Sequence, residues 1–366
     1  MKHLSSAVAV VLLSWAADPA RAQDEDKPLH KTTYRVINVH RHCDAPSEEA
    51  FKAELAVLDR VGIQTVVILD GGTSDTRAPA WGELKKKYPD RLIVFSNVPF
   101  NRSKVSTFFD DIVRDLPVQQ RLGIQGVKIF KQLGMSHTGP DGKLLAGDDP
   151  RLDPFWAKCG ELGLPVLIHM ADPKEYWYPL TYNTFHYGMR SEKDQFYDRD
   201  KMPAWEELIR QRNNILKKHP KTKFIGAHMG SLTFDLQQLA ETFDKYPNFH
   251  VDCSARTRIL GRLNPHAVRD FFVKYQDRIL FGTDSSVLNN VDPKNEKATQ
   301  QWQDRAARFY SRHLEYFETN RIDIVEPYGW GKDWLRISGV KLPPEVLEKF
   351  YHGNAERLIP GLKEKS

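Results

Sequence analysis

Apolar and polar positions along this chain fall into two alternating kinds of segment. Short, densely apolar runs recur at 34–40, 64–69, 91–97, 126–130, 164–169, 224–228, 249–253 and 278–282. Runs of this length and composition suit strands buried on both faces. Between them lie stretches with helical spacing. Phe51, Leu55 and Leu58 share one helical face between Ser47, an N-cap residue, and Gly62, a terminator. Helices are also predicted over 81–88, 108–122, 152–162 (closed by Gly163) and 205–219. Asn264-Pro265 has the order of a cap followed by proline at the first helical position. Eight strand-then-helix units in series predict an α/β fold, and eight parallel strands close into a (β/α)8 TIM barrel. The barrel is expected to span 34–366, with insertions after strand five (171–203) and strand eight (285–344, helical over 300–319).

The ends of the chain change this picture little. Lys2 and His3 precede an apolar stretch, Ala7 to Ala17, and Ala20-Arg21-Ala22 offers a small-x-small cleavage site. Residues 1–22 therefore read as a secretory signal peptide, since the apolar stretch falls short of the roughly 20 residues of a spanning helix. The mature chain is expected to be exported, periplasmic or extracellular, without a membrane anchor, and to begin with a flexible polar lead-in over 23–33. Cysteines number 3, an odd set in an exported protein, so at least one is free or paired between chains. The net charge of +5 is spread among acids, as in Arg190-Ser-Glu-Lys-Asp194, and not clustered as in a nucleic-acid binder.

Chemistry concentrates at one end of the predicted strands. His40-Arg41-His42 closes the first, and on a strand residues i and i+2 share a face about 7 Å apart, so both imidazoles can reach one ion. Lys128 lies on strand four, His169 ends strand five, His228 ends strand six, and Asp284 follows strand eight in Gly282-Thr-Asp284. Active sites of such barrels sit at the C-terminal ends of the strands. A lone strand histidine is more often a packed core group than a ligand; several in one register are a different matter. Arg256, just past strand seven, is a candidate to hold a substrate anion through its planar fork, and equally plausible as a surface arginine. The first insertion is rich in aromatics (Tyr176, Trp177, Tyr178, Tyr182, Phe185, Tyr187, Phe196, Tyr197 and Trp205), which suits either an active-site lid or a small second core. His137, His186, His250 and His352 lack a register that would give them a role.

Taken together, His40-x-His42, Gly126-Val-Lys128, His169, Gly226-Ala-His228-Met-Gly230, Gly282-Thr-Asp284 and Tyr351-His-Gly-Asn-Ala355 resemble the amidohydrolase superfamily, in its amidohydrolase-related (family 2) branch. The resemblance runs from residue 34 to about 360. It implies His40, His42, His169 and Asp284 as metal ligands, and His228 as the acid/base residue of mononuclear members or a metal ligand in binuclear ones. It also implies two readings of Lys128: a carbamylated bridge between two metals, or an unmodified cation holding a substrate carboxylate. One ion, with zinc as its identity, is the expectation. Zinc takes imidazole and carboxylate ligands and brings the pKa of its water to roughly 7.

Three functions follow, in order of preference. The first is an exported metal-dependent hydrolase of an amide, ester or lactone in a small organic-acid or sugar-derived compound. In it, His228 and Asp284 move protons while Lys128 and Arg256 bind substrate. The second is a non-oxidative decarboxylase on the same scaffold, and the third a non-catalytic protein that keeps a metal for folding. The partner in every case is a small molecule, and the second insertion is open to use as a homo-oligomer surface.

Overall fold

The computed structural model describes residues 27–43, 45–179, 197–198, 201–286, 295–328 and 335–362. The predicted signal peptide lies outside these residues. Eight strands pair in sequence order: β1 (Ile37–Arg41), β2 (Thr65–Ile68), β3 (Leu92–Asn97), β4 (Gly126–Ile129), β5 (Val166–Ile168), β6 (Phe224–Gly226), β7 (Phe249–Asp252) and β8 (Ile279–Leu280). Every neighbouring pair is parallel. The ring closes between β8 and β1, where Val39 N–H donates to Phe281 O at 2.9 Å and Asp284 N–H to His40 O at 2.8 Å. This is the (β/α)8 barrel that the alternation predicts.

The helices form where capping and periodicity direct them. Helix α1 (Glu48–Val61) starts at Ser47, whose hydroxyl accepts from Ala50 N, and stops at Gly62 in the left-handed conformation. The other helices of nine or more residues between the strands are α2 (Ala78–Lys87), α3 (Phe108–Arg121), α4 (Asp153–Glu161), α5 (Trp205–Lys218), α6 (Leu236–Lys245) and α7 (Pro265–Lys274). Asn264 caps α7 as expected, accepting from His266 N at 2.9 Å. The second insertion carries α8 (Glu296–Glu318), then the antiparallel pair β9 (Ile324–Val325) and β10 (Arg336–Ile337). Among the described residues, no helix is long and apolar enough to cross a membrane.

Strand side chains divide by parity. Val36, Val66, Val94, Val127, Val166, Phe224, Val251 and Ile279 face the helices. Ile37, Val67, Ile93, Phe95, Leu167, Ile225 and Leu280 fill the barrel, where the Phe95 ring occupies the space a Cβ on Gly126 would need. At the N-terminal end of the strands, Ala355, Leu358, Ile359 and Leu362 join this inner cluster and close the floor. Asn354 fixes that plug by donating to Ile279 O and Gln276 O, each at 2.7 Å.

Two expectations are refined. Polarity alone predicts a flexible lead-in up to residue 33, yet from Lys27 onward the chain is tied down. His30 N–H donates to Ser311 Oγ at 2.7 Å, its ring meets Glu318 at 2.9 Å, and Thr32 N–H donates to Val61 O at 3.2 Å. Polar side chains there find partners on α8, which sequence spacing does not reveal. The cysteines Cys43, Cys159 and Cys253 are all free and all buried, the packing role open to small apolar side chains.

Candidate metal centre

The strand ends converge at the C-terminal mouth. His40 Nε2 lies 3.3 Å from His42 Nε2, and Asp284 Oδ1 is 3.3 Å from each of them. These three atoms form a compact donor set open to a metal ion. Asp284 Oδ2 is 3.8 Å from His228 Nε2, so one carboxylate faces three imidazoles. Burial works to raise the Asp284 pKa, but the His40 and His228 rings outweigh it and hold the carboxyl well below the usual range.

Strand alternation alone would not produce this arrangement. Ile37 and Val39 already point into the barrel, so His40 and His42 have the wrong parity for it. The pairing of β1 with β2 shifts register between Asn38 and Arg41, and this irregularity turns both histidines inward. Arg41 then faces α1, where it is buried and donates to Glu54 at 2.6 Å and to Ser285 O at 2.7 Å. His228 differs from its predicted place at a strand end. β6 stops at Gly226, and His228, Met229, Gly230 and Ser231 all have positive φ, near 60°. Such conformations cost non-glycine residues about 1 kcal/mol or more each and persist only where the surroundings impose them. Ala171, Ala255 and Asp284 share the feature, so among the described non-glycine residues six of seven left-handed positions lie at this rim.

A layer of carboxylates behind the histidines fixes their rings, and sequence reasoning missed it. Asp252 Oδ2 meets His40 Nδ1 at 2.9 Å, and Asp70 Oδ2 meets His42 Nδ1 at 2.9 Å while accepting from Cys43 N. Each carboxylate places the ring proton on Nδ1 and frees Nε2 as an electron-pair donor, the arrangement typical of metal-binding histidines. The pKa values follow this pairing. Burial raises and the His42 hydrogen bond lowers that of Asp70, with lowering the net result; His42 is raised, its carboxylate partners overcoming burial. The signal was present, for Leu69-Asp70 and Val251-Asp252 each put an acid directly after an apolar run. His40, His228 and Asp252 also form a compact group, but the 2.9 Å contact to His40 Nδ1 has hydrogen-bond geometry and marks Asp252 as an orienting group.

His228 is held from behind as well. Its Nδ1 lies 2.9 Å from Ser254 O, so this nitrogen carries the proton and Nε2 is left as the acceptor. Burial first, then the Arg256 charge, push its pKa well below the ordinary value. Arg256 is thus within electrostatic reach of His228, and its Nη1 donates to Ala255 O at 2.8 Å. Lys128 Nζ reaches His40 Nε2 at 3.4 Å, and burial lowers its pKa to about 8.

His169 stands apart from the compact donor set. Its ring packs edge-on against His228, with centroids 4.5 Å apart, and burial lowers its pKa to about 4. Its Nε2 is buried and lacks a hydrogen-bond partner, although Asp172 Oδ1 is 3.4 Å away. A buried, unpaired imidazole nitrogen is costly in a folded chain. With three other donors converging on the same mouth, it fits a site that takes a metal ion.

The amidohydrolase family model matches residues 22–361. The chain belongs to the amidohydrolase family. As a member, it is an enzyme. No curated protein sequence matches this amidohydrolase. Among solved structures, it is similar to 5-carboxyvanillate decarboxylase from Sphingomonas paucimobilis, at 14% identity and a TM-score of 0.50, covering 89% of this chain and 99% of that one. It is also similar to 5-carboxyvanillate decarboxylase from Novosphingobium aromaticivorans complexed with manganese, at 16% identity and a TM-score of 0.50, covering 90% and 98%. A third is a probable 2-pyrone-4,6-dicarboxylic acid hydrolase from Acinetobacter baumannii, at 13% identity and a TM-score of 0.43, covering 88% and 98%. At these identities the first two likenesses show a shared fold and leave the reaction to be argued from the site.

Of the aromatics in the first insertion, Tyr182, Phe185, Tyr187 and Phe196 lie outside the described residues. Trp177 and Trp205 are buried, their indole N–H groups donating to Pro203 O and Asp172 O, which makes this end of the insertion a small core. Tyr197 reaches Asp172, which also takes Lys131 at 2.5 Å. A cavity of about 380 Å³ lies between β3 and α3 and contains none of the converging residues. The donor chemistry therefore locates the site at the mouth.

Proposed function

We propose that this amidohydrolase is an exported, metal-dependent hydrolase of an amide, ester or lactone bond in a small organic-acid or sugar-derived substrate. The convergence of His40 Nε2, His42 Nε2 and Asp284 Oδ1 at 3.3 Å, beside a His228 with a free Nε2, carries this reading. His40, His42, His169 and Asp284 are the ligands of one divalent ion, with zinc favoured by three imidazoles and a carboxylate. When bound there, such an ion supplies Lewis acidity that polarises a carbonyl and acidifies water. His228 accepts the proton of the attacking water at Nε2, and Asp284, 3.8 Å away, shares the load and helps return it to the leaving group. Arg256 and Lys128 hold the acidic group of the substrate. The signal-like residues 1–22 support export.

Decarboxylation is the second reading, and the Arg256 charge acting on His228 favours it. A guanidinium next to the proton carrier would hold a carboxylate where its departure can be coupled to protonation of carbon. The deciding experiment offers the metal-loaded protein a panel of aromatic and sugar-derived esters, lactones, amides and free acids. Released acid and released carbon dioxide are measured separately. Acid without carbon dioxide is expected; carbon dioxide from free acids alone replaces the first reading with the second. Turnover of neither kind by metal-loaded protein would overturn both readings of the substrate class.

A further inference from the structure

The turn after β7 is built around the proton carrier. Ser254 holds His228, Ala255 takes a left-handed backbone at φ 52°, and Arg256 follows. The second insertion is fastened to this turn at two positions two residues apart. Thr257 Oγ1 donates to the buried Glu326 at 3.0 Å, and Ala255 N–H donates to Tyr328 Oη at 3.2 Å. Glu326 N–H in turn donates to Leu335 O at 3.0 Å, continuing the β9 and β10 pairing. The Tyr328 ring stands edge-on against Phe309 and His313 of α8, at centroid distances of 5.1 and 5.2 Å. Its direction is therefore set from three sides.

A phenol can both accept and donate. Tyr328 accepts from Ala255, and among the described residues nothing accepts from its own O–H. Burial, and after it the charge of Asp284, keep that proton on the oxygen by raising the pKa well above the usual value. A fixed, unspent donor, held on the residue that precedes Arg256 and within electrostatic reach of Asp284, is open to an acceptor that arrives from outside.

We infer that Tyr328 is a substrate-binding residue whose phenol donates a hydrogen bond to a carboxylate oxygen of an organic acid at the mouth, beside Arg256. The assignment rests on the proposed function, an enzyme acting on organic acids. It also explains why the second insertion is fastened where it is, since the chain after β8 returns to complete the acid-binding side of the site.

Benzoate and benzyl alcohol are the probes, titrated by calorimetry into the metal-loaded full chain, with metal content and melting temperature measured alongside. Tyr328→Phe should weaken benzoate binding about tenfold to a hundredfold, the range for a hydrogen bond to a charged acceptor, and leave benzyl alcohol almost unchanged. Tyr328→His, which keeps a ring donor, should recover part of the loss and also serves if the phenylalanine variant folds poorly. Equal benzoate affinity in wild type and Tyr328→Phe, or equal weakening of both probes, would overturn the assignment alone. A wild-type protein that holds metal but binds no benzoate would overturn it together with the reading on which it rests.

Discussion

The two ends of the barrel are made by the same eight strands and obey different rules. At the floor, Ile37, Val67, Ile93, Leu167, Ile225 and Leu280 meet Leu358, Ile359 and Leu362 through non-directional apolar contact. At the mouth, His40, His42, His228, Asp70, Asp252 and Asp284 are held by hydrogen bonds at 2.8–3.0 Å, on backbone that is left-handed at several positions. Apolar packing tolerates substitution if volume is kept. The mouth does not, since removing one member of a buried polar pair leaves its partner unsatisfied. The contrast assigns stability mainly to the floor and chemistry to the mouth, and each end can be perturbed separately.

The largest expected effect is at the mouth. His228→Asn should lower turnover about 10²- to 10⁴-fold, the usual contribution of a positioned proton carrier. Asparagine tolerates left-handed backbone, so the melting temperature and metal content should stay near wild type. A variant that keeps its turnover would remove His228 from the chemistry. Leu358→Ala asks the converse question at the floor. It should cost about 2–5 kcal/mol in denaturant unfolding while metal affinity is preserved; loss of metal with little loss of stability would break the division.

Beside the mouth, fastened to the turn after β7, lies Glu326, a buried acid whose pKa burial raises to about 7. Because the folded value exceeds the unfolded one, its contribution to stability is complete below about 4.5 and is lost as pH rises through about 7. The loss is at most roughly 3 kcal/mol. Melting temperature should fall across that window in wild type and much less in Glu326→Gln; parallel profiles would show that the group does not titrate this way. The smallest effect is expected from the orienting layer. Asp252→Asn should weaken metal binding about tenfold to a hundredfold, measured by competition with a chelator. Unchanged affinity would mean that the His40 ring needs no carboxylate to direct it.

The order of strands was legible because each is a dense apolar run followed by a helical period, and the mouth was legible because polar residues recur where those runs end. Lys128, His169 and Asp284 follow simple parity from Gly126, Leu167 and Gly282. His40 and His228 do not: a register irregularity re-aims the first, and a left-handed turn the second. Their arrival at the mouth is a property of the fold that alternation cannot supply. Asp70 and Asp252 carried the strand-end signal but stand behind the histidines, where a search for ligands alone passes over them. Tyr328 was illegible because its meeting with Ala255 joins positions far apart in the chain through an irregular segment. The aromatics of the first insertion were conspicuous, yet Trp177 and Trp205 are spent on packing.

The central claim is that the mouth binds a single divalent ion through His40, His42 and Asp284, with His169 completing the set. Elemental analysis of the purified full chain, beside His42→Ala, tests it most directly. The account predicts one divalent ion per wild-type chain, loss of that ion in the variant, and loss of turnover in chelator. A wild-type protein with no bound metal and full turnover in chelator would contradict it.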